Sequence, residues 1–165
     1  MSTINSVISA GITAADILLP AYKTNIHKWA TIACDQFTSN PDYWKKVEQI
    51  TNGTKSTYNL MFPKFYLDKG NDDDCIKIIH KNMSYYLTDG TFEEYKDSFI
   101  YVERTVSSGI RKGLIAAIDL EQYDYNPGSF SLVRASEATV TSRIPPRVKI
   151  RKNAPIEMPH ILILI

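Results

Sequence analysis

Cysteine, histidine and glycine are all scarce in this chain of 165 residues, with two, three and seven respectively. Cys34 and Cys75 stand far apart without a C-x-x-C, and His27, His80 and His160 are scattered. That excludes a disulfide scaffold and a zinc-binding spacing, and the expectation is two reduced thiols in a cytoplasmic protein. No apolar run approaches the ~20 residues of a membrane helix. The first 20 residues hold no Lys or Arg, so the cationic region of a signal peptide is missing. Gly-x-Ser-x-Gly, P-loop and Gly-x-Gly-x-x-Gly patterns are absent, which disfavours nucleophile-elbow hydrolases, Walker NTPases and Rossmann dehydrogenases. A surplus of charge is missing too. Nineteen basic and 18 acidic residues leave +1, so no global field draws the chain to nucleic acid or to an anionic membrane. What is present is 44% hydrophobic residues, enough for one soluble domain with a real core, read as a single domain over residues 1–165.

A more informative absence is arginine. Residues 1–103 contain ten Lys, thirteen acids and no Arg, whereas residues 104–165 contain all six Arg with three Lys and five acids. Lysine suits a solvated face. Guanidinium is a planar fork suited to a carboxylate or phosphate held in place, so the second part is where an anion belongs.

Local signals divide the chain into elements. Residues up to Pro20 read as an arm with a short strand, and the apolar run 29–34 reads as a buried strand. Ser39, Pro41 and Asp42 form a helix start with Ser39 as the cap; Tyr43, Trp44, Val47 and Ile50 continue it to Asn52-Gly53. Residues 57–62 read as a strand closed by Pro63. Asp72, Asp73 and Asp74 precede Ile76, Ile79, Met83 and Tyr86 at helical spacing. Three consecutive aspartates diverge, so the spacing favours acids at a helix start over a divalent-metal cluster. Residues 98–106 and 113–120 form a hairpin around Ser107-Ser108-Gly109, with a somewhat long turn, and residues 130–133 form a further strand. The chain closes on an apolar run to Ile165 that reads as a strand buried on both faces, the expectation being that these residues are the N-terminal part of a longer protein. The fold expected is a mixed α/β (α+β) domain, a β-sheet of five to seven strands with two or three flanking helices.

Between Arg134 and Arg151 four arginines (Arg134, Arg143, Arg147, Arg151) and the hydroxyls of Ser136, Thr139, Thr141 and Ser142 fall around Pro145-Pro146, which breaks both periodicities. A loop leaving a strand end with forks and hydroxyls is a place for ligand oxygens. The same arginines can equally pair with Asp119, Glu121 and Glu137 in structural salt bridges. Strand alternation puts Asp119 and Glu121 on one face, as a metal or acid–base pair would need. Arg134 leads the set because it follows an apolar strand whose Leu132 would bury its stem.

The segments Ala33-Cys-Asp-Gln-Phe-Thr-Ser39 with Tyr43-Trp44, Gly113-Leu-Ile-Ala-Ala-Ile-Asp-Leu-Glu-Gln-Tyr-Asp-Tyr125, Leu132-Val-Arg-Ala-Ser-Glu-Ala-Thr139, Arg143-Ile-Pro-Pro-Arg147 and Glu157-Met-Pro-His160 resemble, in order, the bacterial family called domain of unknown function 1015. The match runs from Asp16 over nearly the whole chain. More distantly the chain resembles the ParB/sulfiredoxin superfamily, which includes nucleotide-dependent serine kinases and CTP-hydrolysing partition proteins. That likeness implies a phosphate-holding role for Arg134 and a base or metal-ligand role for Glu137. The glycine of the superfamily's arginine loop is missing here. The expected function is binding of a small anionic metabolite or nucleotide by Arg134, Thr139, Arg143, Arg147 and Arg151. Phosphoryl transfer on a serine-like metabolite, with Mg²⁺ and with Glu137, Asp119 and Glu121 as catalytic groups, is one form of it. A non-catalytic ligand-binding or regulatory module is the other. Nucleic-acid binding is disfavoured, since residues 134–165 contain no Phe, Tyr or Trp to stack on bases.

Overall fold

The computed structural model describes residues 11–67, 69–134, 138, 140–158 and 162–164. The architecture is mixed α+β, as expected, and divides into two units. One, here the helical unit, takes Leu18–Glu93 and Pro145–Met158; the other, the strand unit, takes Met1–Ile17, Glu94–Ile144 and Pro159–Ile165.

In the helical unit α1 (Ile26–Trp29) is a single turn capped by Asn25. Helix α2 (Pro41–Thr51) starts one residue later than Ser39 would place it. Asn40 accepts from the Tyr43 N–H at 3.1 Å, and Pro41 opens the helix where its missing N–H has no helical partner to lose. Helix α3 (Asp72–Thr88) carries the three aspartates in its first turn, at the positive end of its dipole. Asp73 pairs with Lys149 and Asp74 with Lys77, and the three acids stand at the helix start as their spacing predicted. Helix α4 (Ile144–Arg151) corrects the loop expected around Pro145-Pro146. Both prolines fall in its first turn, where backbone N–H groups have no intrahelical acceptor and proline costs little.

Two expected strands are replaced by turns in this unit, for one reason. The Trp29 carbonyl accepts from Ser56 Oγ at 3.1 Å and Thr57 Oγ1 at 2.8 Å, and the Thr31 N–H donates to Thr57 Oγ1 at 3.2 Å. Side-chain hydroxyls therefore take the backbone groups that a ladder through residues 29–34 would have used. On the other side Ser56 caps a 3₁₀ turn (Thr57–Leu60) where residues 57–62 were expected to be extended. The core gathers Trp29, Leu60, Phe62, Ile76, Ile79, Met83 and Tyr86, with Ile150, Ala154, Ile156 and Met158 packed against it. Trp44 is fully buried (0% exposed); its Nε1–H donates to the Gln36 carbonyl at 3.1 Å.

The strands are β1 (Ile12–Thr13), β2 (Ala15–Pro20), β3 (Phe92–Ser98), β4 (Ile100–Val106), β5 (Gly109–Ile115), β6 (Ala117–Ile118), β7 (Tyr123–Asp124), β8 (Val133–Arg134) and β9 (Leu162–Leu164). Among the described residues they form small sheets with orders β1-β6, β2-β3, β4-β5-β9 and β7-β8, in place of one sheet of five to seven strands. The physical cause of the subdivision is the shortness of the strands, since elements of two or three residues cannot carry a continuous ladder. The hairpin β4–β5 is present and tighter than expected, pairing Val106 with Gly109 across Ser107-Ser108. Strand β9 pairs antiparallel with β5. Gly11, at φ +69°, presents its carbonyl to the Asp119 N–H at 2.8 Å, and a Cβ there would meet Gln122 at 3.0 Å.

Candidate functional site

Of the eight residues put forward for an anion site, Glu137, Thr139 and the side chain of Arg143 lie outside the described residues. Arg134, Asp119 and Glu121 belong to the strand unit; Arg147 and Arg151 belong to the helical unit.

Asp119 and Glu121 do not alternate along a strand. Residues Leu120–Gln122 form a 3₁₀ turn that Asp119 caps. One of its carboxylate oxygens accepts from the Glu121 N–H at 3.0 Å and the other from Gln122 Nε2 at 3.1 Å. A carboxylate held by its own turn is not aimed at an arginine or at a substrate proton. Arg134 ends β8, parallel to β7, where Asp124 stands opposite it in register. The Asp124 carboxylate is turned onto its own chain instead. The Asn126 N–H at 2.9 Å and Asn126 Nδ2 at 2.8 Å donate to it, and these bonds hold the carboxyl below its usual range. The Arg134 guanidinium donates from Nη1 to the Ser129 carbonyl at 3.3 Å. Among the described residues no ion pair joins Arg134 to Asp119, Glu121 or Asp124. The expected burial of its stem is also overturned, because Leu132 is 71% exposed and Phe130 is fully exposed.

Arg151 pairs with Glu157 at 3.3 Å between two exposed side chains. Burial and Asp35 push the Cys34 thiol up, and Arg147, exposed on α4, offsets a small part of that rise. Among the described residues no three His, Cys, Asp or Glu side chains converge as a metal would need.

The helical unit also holds an open cavity of about 460 Å³ that no sequence pattern announced. Met61, Phe62, Ile78 and Ile79 supply apolar wall, and Tyr58, Tyr66, Cys75 and Glu48 supply polar groups. Its residues come from α2, α3 and the 3₁₀ turns between them, so no fixed spacing could expose it. The only trace is a pair of tyrosines flanking the apolar run 60–62. Burial, Tyr66 and Glu48 push the Tyr58 phenol up, and burial and Glu48 push Tyr66 up, so both keep their protons at neutral pH. Tyr66 Oη is closed off from water, with the Tyr58 phenol beside it.

No helix among the described residues is long and apolar enough to cross a membrane. Neither a curated protein nor a solved structure matches the chain. A family model does, over residues 18–165, which take in the arginine stretch and the cavity alike, and the chain belongs to the family described as Protein of unknown function (DUF1015).

Proposed function

We propose that this protein binds a small anionic ligand bearing phosphate or carboxylate oxygens, with Arg134 as the lead contact. The observation that carries the reading is the position of the Arg134 guanidinium. It stands at an exposed strand end, bonded to a carbonyl, while Asp119 and Asp124 are spent on their own turns. A cation whose neighbouring carboxylates are occupied keeps its fork for an incoming anion. Arg151 is weaker support because Glu157 already accepts from it.

The test is thermal shift and calorimetry of the chain against inorganic phosphate, phosphoserine, ADP and ATP. For whichever probe binds, Arg134→Ala should weaken affinity by about 1.5–3 kcal/mol, the range of hydrogen bonds to charged groups, with the apo melting temperature little changed. Arg134→Lys should recover part of the affinity, because it keeps the charge and loses the fork. Unfolding of Arg134→Ala without a separable binding defect would mean that the side chain serves structure. The nucleotide-dependent form of the reading, phosphoryl transfer to a serine-like metabolite, is read separately by following phosphoserine with ATP or ADP and Mg²⁺. Saturable binding without turnover in either direction assigns a non-catalytic binding module.

A further inference from the structure

We propose that one face of the β4–β5 hairpin is a second oxyanion site, in which Arg104 and Arg111 hold a phosphoryl dianion between them. These are the two arginines of the chain that lie outside the 134–151 stretch. The register of the hairpin sets Arg104 directly opposite Arg111, and facing residues on one side of a strand pair have Cβ atoms about 5 Å apart. Both residues are exposed. Alternation along the strands puts them on the face that carries Val102, Val106, Gly109 and Gly113. On its own strand Arg111 therefore has glycine on either side of it on that face, and a Cβ at Gly109 would meet nothing within 4 Å.

Nothing of opposite sign in the hairpin offsets the pair. Its one acid, Glu103, belongs to the other face, where Tyr101 Oη donates to it at 3.1 Å and Lys112 stands opposite it. Among the described residues neither guanidinium has an ion pair or a hydrogen bond. Like charges directly opposite each other destabilise a strand pair, so the two arginines repel until an anion comes between them. The donors decide which anion. Each guanidinium is a planar fork that gives parallel N–H bonds to two oxygens. Two facing forks have more donors than the two oxygens of a single carboxylate can use, whereas a phosphoryl group offers three oxygens and a charge close to −2. With both residues exposed, the site reads the phosphoryl group and leaves the rest of the ligand in water. Free phosphate and a phosphate ester share that chemistry.

Inorganic phosphate and phosphoserine, with acetate at matched ionic strength as the control, are titrated into the full chain and followed by the ¹H–¹⁵N shifts of residues 102–113 and of the Arg104 and Arg111 side chains. Both phosphates should saturate these shifts and acetate should not. Tighter binding of inorganic phosphate assigns the free ion as ligand, and tighter binding of phosphoserine assigns an ester. Arg104→Thr and Arg111→Thr should each weaken phosphate binding here about tenfold. In chloride each variant should melt no lower than wild type, because threonine suits a strand and the like-charge pair is gone, so a binding loss is not unfolding. The proposal is overturned if acetate moves the same resonances as far as phosphate, if the shifts do not saturate, or if both variants keep wild-type affinity. Melting of both variants well below wild type would assign the arginines to structure and overturn it too. Arg134→Ala should leave these titrations unchanged, so failure here and failure of the Arg134 site are read on different variants and resonances. Loss of the hairpin shifts in Arg134→Ala would overturn the claim to a second site.

Discussion

Asp89, just beyond the end of α3, shows how one carboxylate couples folding to pH. Burial pushes its carboxyl up, but Lys55 and the N–H and hydroxyl of Thr91 donate to it and together hold it at about 2, below the ordinary 3.8. A depressed folded-state value means that the stabilisation is present above pH 3.8 and is lost as pH falls through about 2. With Lys55 partly exposed, the loss should be about 1–2 kcal/mol. Urea unfolding from about pH 5 down to pH 2 should show that decline in the wild type and a flatter profile in Asp89→Asn, which starts less stable at neutral pH. Asn40 is the second residue with a separable role. Its side chain holds the Tyr43 N–H, so Asn40→Ala should cost about 1 kcal/mol and Ser39→Ala close to nothing. Both residues are cap types, and sequence alone put the cap one position early. The tie is broken by Pro41, which opens the helix immediately after Asn40.

At the scale of elements, α2 and α3 were legible because their signals are local: a cap, proline at the start, acids in the first turn and apolar residues at helical spacing. Helix α4 was not, since two prolines read as breakers unless their place in the first turn is known. What secures α4 is non-local. His80 Nε2, which must carry the proton because its partner is a carbonyl, donates to Ile150 at 2.8 Å. His80→Ala should therefore speed amide exchange over residues 144–152 and cost about 1–2 kcal/mol. Lys149→Ala removes the Lys149–Asp73 pair between two largely exposed side chains and should change exchange and stability far less than His80→Ala does. Equal effects from the two variants would mean that the exposed pair, and not the histidine, holds α4.

For the whole molecule the two units matter most, because each is assembled from separated stretches of chain. Ile150, Ala154, Ile156 and Met158 pack on a core whose other members lie between Trp29 and Tyr86. The fragment Leu18–Glu93 should therefore bind more hydrophobic dye and unfold less cooperatively than the full chain. Ile156→Ala in the intact chain should cost about 1–3 kcal/mol despite its distance in sequence. Core strength in the fragment equal to that of the full chain would count against this packing. By itself the sequence determined what depends on neighbouring residues: the α+β class, the two long helices, the β4–β5 hairpin and the helix-start role of Asp72, Asp73 and Asp74. Tertiary structure alone decided where backbone groups and charges find partners. Ser56 and Thr57 took the Trp29 carbonyl from a strand, Asp119 and Asp124 closed on their own turns instead of on Arg134, and Tyr58 and Tyr66 came to face one cavity. A hydroxyl or carboxylate accepts several alternative partners of similar energy, and only the folded chain's geometry selects among them.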